Sequence, residues 1–187
     1  MRKTVLILAA VCGLVCHNSA RAQKFSISTD LLGYACLGTL NAEASYSVSR
    51  YWSITAGARY NPFIFRKGDA GRQFQLRQQS YTVGARLWPW HTLSGWWFEG
   101  KLRYQEFNMG GIFSRAAKEG DRFGTGLYAG YTYMLSRHFN LEFGAGVWTG
   151  YEIYRKYSCP ACGVTTSSGR GWFVLPDDIK IAVVYVF

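Results

Sequence analysis

Two sets of residues in this sequence could carry chemistry. The first is Cys159-Pro160-Ala161-Cys162, a C-x-x-C spacing that suits a redox dithiol, half of a zinc site or a local disulfide. A thioredoxin-like site needs a helix N-terminus to lower a thiol pKa, and the flanking residues read as strands. A structural zinc needs four ligands. Cys36 raises the thiols to three, while His91 and His138 fall on short turns expected at the far end of the molecule. In an oxidising compartment a Cys159–Cys162 disulfide is the favoured reading; metal binding and redox or intermolecular pairing are the alternatives. The second set is a series of charges: Asp30, Glu43, Arg59, Arg86, Glu99, Lys101, Arg103, Glu142, Glu152, Asp178 and Lys180. Acids and bases nearly balance there, which points to mutual pairing. Acyl transfer or proteolysis would want a His beside a Ser or Asp, and both histidines of the expected mature chain sit on exposed turns. The expectation is therefore no enzyme, no cofactor and no metal.

The elements that position these charges follow a period of two from Lys24 onward. Leu40, Ala42, Ala44, Tyr46 and Val48 alternate with Asn41, Glu43, Ser45 and Ser47. Trp52, Ile54, Ala56, Ala58 and Tyr60 alternate with Ser53, Thr55, Gly57 and Arg59. Similar runs recur to the terminal Ile179-Ile181-Val183-Tyr185-Phe187, giving eight expected strands. Short connections (Ser49-Arg50, 89–95, 136–138) alternate with long polar ones (61–79, 108–122, 155–171). That asymmetry suits an eight-stranded antiparallel up-and-down transmembrane β-barrel. The 187 residues fit one domain, and no apolar run approaches the ~20 residues of a spanning helix.

Residues 1–22 read as a secretory signal peptide: Arg2 and Lys3, an apolar stretch from Thr4 to Cys16, then Ala20-Arg21-Ala22 before Gln23. The barrel domain is then 23–187. Without Arg2, Lys3 and Arg21 the net charge falls from +10 to +7.

The polar face decides between a soluble barrel and a membrane one. A one-residue register slip would expose Arg59, Arg86, Lys101 and Arg103 together to lipid, a cost on the order of 10 kcal/mol. In a membrane barrel this face must be the lumen; in a soluble barrel the Val, Leu, Phe and Tyr face would meet water. Aromatics gather at both strand ends, Trp52, Trp96 and Phe139 by the short turns and Tyr60, Tyr104 and Tyr151 by the long loops, as two interfacial girdles would. Eight strands leave an interior that side chains fill, so a salt-bridged plug is favoured over the rival reading, a small ion or solute channel. The excess positive charge falls in the long connections: Arg66, Lys67, Arg72, Arg77, Arg115, Lys118, Arg122, Arg155, Lys156 and Arg170. Such loops would meet lipopolysaccharide, or bind an acidic surface polysaccharide or protein. No basic motif is arranged for nucleic acid.

Several stretches resemble a family of small outer-membrane barrels of unknown function from Bacteroidota, within the OmpA/OmpX-like eight-stranded group. They are Thr29-Asp30-Leu31-Leu32, Tyr51-Trp52-Ser53-Ile54, Tyr60-Asn61-Pro62-Phe63, Asn108-Met109-Gly110-Gly111, the run from Lys156 to Gly163, and Val184-Tyr185-Val186-Phe187. The ending, with Tyr185 and a terminal Phe187, resembles the signal read by the barrel-insertion machinery. The resemblance implies an outer-membrane location with both termini periplasmic, no catalytic residues, and an association with fimbrial or other surface assembly.

Overall fold

The computed structural model describes residues 24–66, 73–111, 116–161 and 163–187, apart from the side chain of Asp178. The alternating segments are strands: β1 (Phe25–Asp30), β2 (Leu40–Ser47), β3 (Trp52–Asn61), β4 (Ile64–Phe65), β5 (Phe74–Leu87), β6 (Gly95–Gly110), β7 (Ala117–Met134), β8 (Phe139–Tyr157) and β9 (Thr165–Val186). One helical turn, α1 (Leu31–Ala35), follows β1, and the Asp30 carboxylate caps it by accepting from the Leu32 N–H at 3.2 Å. All ladders are antiparallel. Neighbours run β3-β2-β1-β9-β8-β7-β6-β5, and a β3–β5 ladder closes the ring. The two-residue β4 only pairs with the upper end of β5. The barrel therefore has eight staves, as the alternation predicts.

The staves are unequal. β1 has 6 residues and β2 has 8, whereas β8 has 19 and β9 has 22. The segments 108–122 and 155–171, expected as polar loops, are largely strand, with ladders running up to Gly110↔Ala117 and Tyr157↔Thr165. Both faces are polar there, so no apolar stripe marks the period in the sequence. The expected signal peptide, 1–22, lies outside the described residues.

Side chains sort by face. Between a lower ring of Trp52, Trp96, Tyr131 and Phe139 and an upper ring of Tyr60, Tyr104, Phe123 and Tyr151, the outward positions hold Ile54, Phe98, Leu102, Leu127, Phe143 and Val147 with small neighbours. No charged side chain faces outward in that band among the described residues. Inside, Trp88, Leu93, Trp97, Tyr128, Val184 and Val186 cluster at the lower end. Trp88 Nε1 donates to Ser53 Oγ (2.9 Å), and Asn140 Nδ2 donates to the Leu93 carbonyl (3.0 Å), which ties the 88–94 turn across that end. Large rings fit because glycines face them. A Cβ at Gly146 would come within 2.0 Å of the Tyr128 ring, and one at Gly130 within 2.3 Å of Trp97.

Candidate functional site

Inward positions of neighbouring staves bring the predicted charges into one cluster. Arg86 on β5 faces Glu99 on β6 across their ladder. Its guanidinium donates to Glu99 (2.9 and 3.2 Å), to Glu142 on β8 (2.9 Å) and to Glu43 on β2 (2.9 Å). Lys101 bridges Glu43 (2.8 Å) and Glu99 (3.4 Å), and Lys180 bridges Glu43 (2.9 Å) and Glu142 (2.8 Å). Thr55 and Thr132 hydroxyls donate to Glu99 and Glu142. In these pairs three carboxylates meet three cations. Arg86 is 2% exposed, and burying such groups costs several kcal/mol per ion unless each is paired and hydrogen-bonded. The rings of Trp97 and Trp88 add a cation–π cradle at 4.2 and 5.5 Å from the Arg86 guanidinium.

Two further layers lie above. Arg103 pairs with Asp177, which also accepts from the Tyr128 hydroxyl (2.9 Å), and the guanidinium sits 4.4 Å over Trp148. Higher still, Glu152 accepts from Arg122 (2.9 Å) and Lys118, while Arg122 lies 3.9 Å over Phe107. The lumen is thus filled from the lower tryptophan cluster to the upper mouth by alternating ion pairs and rings.

Of the predicted lumen charges, Glu43, Arg86, Glu99, Lys101, Glu142 and Lys180 converge in one cluster, and Arg103 and Glu152 pair in the two layers above it. Asp30 is inward and buried, but its carboxylate accepts from backbone N–H groups of Leu32 and Ile181 (3.1 Å) rather than from a cation. Glu152 belongs to the upper pair, apart from the central cluster. The inward acid beside Arg103 is Asp177, which the sequence reading missed in favour of Asp178. A bulge between Gly144/Gly146 and Lys180/Asp177 inserts one residue on β9 and reverses the phase above it. The Asp178 side chain lies outside the description. Arg59 is inward and half-buried beside Glu43 and Lys180.

The basic set divides. Lys67, Arg72 and Arg115 lie outside the described residues, and Arg66 is exposed directly after β4. Arg122 is a buried lumen residue and Lys118 is its neighbour on the same carboxylate, so neither is a loop cation. Arg77, Arg155, Lys156 and Arg170 are exposed on the upper parts of β5, β8 and β9. Beside them the Tyr157 hydroxyl donates to Glu119, which pushes its phenol above the usual range. Cys159 is buried and Cys36 is an exposed free thiol. Cys162, the expected partner of Cys159, lies outside the described residues. Tyr185 and Phe187 face outward at the lower end, edge to face at 4.8 Å.

No curated protein sequence matches the chain. A family model, DUF3575, described as a protein of unknown function, matches residues 5–187. With nearly its whole length matched, this eight-stave barrel chain belongs to the DUF3575 family of proteins of unknown function.

Proposed function

We propose that the chain is an exported, non-enzymatic outer-membrane barrel with a sealed lumen, which engages surface components through its upper, basic sheet. One observation carries this reading: among the described residues the outward band between the two aromatic rings holds no charge, while ten charged groups (Glu43, Arg86, Glu99, Lys101, Arg103, Arg122, Glu142, Glu152, Asp177 and Lys180) are paired inside. Lipid is the solvent that rewards this inversion, because an Arg or Lys at the bilayer midplane costs roughly 2–4 kcal/mol. The arrangement fits the OmpA/OmpX-like barrels of Bacteroidota. Residues 1–22 direct export, Tyr185 and Phe187 address the insertion machinery, and both termini lie in the periplasm. Lipid and lipopolysaccharide surround the barrel, and the upper sheet meets a surface protein or polysaccharide, with fimbrial assembly as the process it would serve. Neither nucleic acid nor a cofactor has a part.

Two measurements test the reading. Fractionated cells should hold the chain in the outer membrane, with the folded form migrating faster in unheated gels. In planar bilayers the purified protein should pass no steady current. Recovery in the soluble periplasm sinks the location, and regular openings altered by Glu99→Gln sink the seal in favour of a channel.

A further inference from the structure

The upper part of β9 is a sheet edge. β9 pairs with β8 from Thr165 to Tyr185, but with β1 only from Ala182 to Val186. α1 packs against β9. Above Trp172, Thr165–Gly171 has no partner on its open side among the described residues. Seven residues make about 23 Å of strand, at about 3.3 Å each. The opposite edge of the same sheet, the upper end of β5, is covered by β4. Lower on β9, Pro176 and the bulge beside Asp177 provide the usual protection of an edge. Thr165–Gly171 has no proline, and its one irregularity, at Thr166 between the pairs Lys156↔Ser167 and Tyr157↔Thr165, leaves Ser167–Gly171 as a regular run; the segment is Thr-Thr-Ser-Ser-Gly-Arg-Gly, mostly small residues that let another backbone approach.

We propose that Thr165–Gly171 accepts an acidic, extended segment of a partner protein as an added antiparallel strand. Charge selects the occupant. Arg170 and Arg155 lie on one face of this edge, with Arg155 opposite Ser168 and Arg170 opposite Ile153. Lys156, opposite Ser167, lies on the other face. An incoming strand with Asp or Glu at alternating positions presents them all on the Arg155–Arg170 face, and its main chain completes the ladder. A second copy of the segment brings no Asp or Glu to meet these cations, which disfavours self-pairing. The inference deepens the surface-docking reading and names its partner chemistry.

The test uses the refolded mature protein in detergent, so that binding is read separately from cellular location. The probe is a ten-residue peptide alternating Thr or Val with Asp or Glu; its counterpart carries Lys at the acidic positions. Amide exchange with the acidic peptide should slow at 165–171 and leave β1–β3 unchanged. Affinity should fall about tenfold in an Arg155→Glu/Arg170→Glu variant, the loss of about 1.4 kcal/mol. Of Ser167→Pro and Ser168→Pro, the one whose N–H faces the open edge should abolish binding while the gel shift of the folded barrel persists. Equal binding of the Lys peptide, protection elsewhere, or protection caused by concentrating the protein alone would overturn the proposal, the last by showing a second copy in that place.

Discussion

At the residue scale the decisive group is Arg86, which is 2% exposed and shared by three carboxylates. Replacing it with Met removes the cation that Glu43, Glu99 and Glu142 share and leaves their charge less compensated in the buried layer. Loss of one partner from such a set costs about 3–5 kcal/mol, and urea unfolding of Arg86→Met in detergent should show a loss of that size. Lys118 also pairs with a carboxylate, but its side chain is 29% exposed. Lys118→Ala should therefore change stability by no more than about 1 kcal/mol. Parity of loss in the two variants would mean that water reaches Arg86. The cysteines give a second residue-scale prediction, since the proposed Cys159–Cys162 bond and the free thiol of Cys36 imply a count. The denatured mature chain should titrate one thiol before reduction and three after; three before reduction would rule the bond out.

Elements explain how much of this was legible. The stave count and the inward set could be read from alternation alone, because a period of two places Glu43, Arg86, Glu99, Lys101 and Glu142 on one face whatever the tilt. The partnerships could not, since Lys180 meets Glu43 across 137 positions of chain through a closure that no local pattern encodes. Asp177 was hidden by the β9 bulge, which changes phase without a local mark beyond Pro176 and two consecutive Asp residues. The strand extensions were hidden by polar residues on both faces. The glycines of β7 and β8 were visible but mute: only the fold reveals that Gly146 and Gly126 leave room for Tyr128, and Gly130 and Gly144 for Trp97. Gly146→Val should therefore fail to give the compact gel form, or give it with an exposed, displaced Tyr128. Gly171→Val, at a position where an added Cβ meets nothing within 4 Å, should fold normally. Equal folding of the two would mean that ring packing does not hold these staves together.

For the whole molecule, the inside-out arrangement of charge makes a demand that a soluble barrel would not make. Leu127 lies midway along β7, opposite Gly100 and Val147, and is 75% exposed. In water an arginine there would be harmless, because surface substitutions away from special features stay within about 0.5 kcal/mol. In a bilayer the same change sits at the midplane and costs roughly 2–4 kcal/mol, falling to about 0–1 near the interface. Tyr133, six residues lower on the same outward face, supplies that interfacial comparison. Folding free energies of Leu127→Arg and Tyr133→Arg, measured in lipid vesicles, should differ by about 2 kcal/mol or more. The same pair should differ little when micelles replace the vesicles, since a detergent shell deforms around a guanidinium. A depth-independent penalty in vesicles would remove the reason for reading the apolar band as lipid-facing, whatever the lumen does. Leu127 and Tyr133 both point outward and contribute nothing to the ion layers, so an effect of depth can come only from what surrounds the barrel.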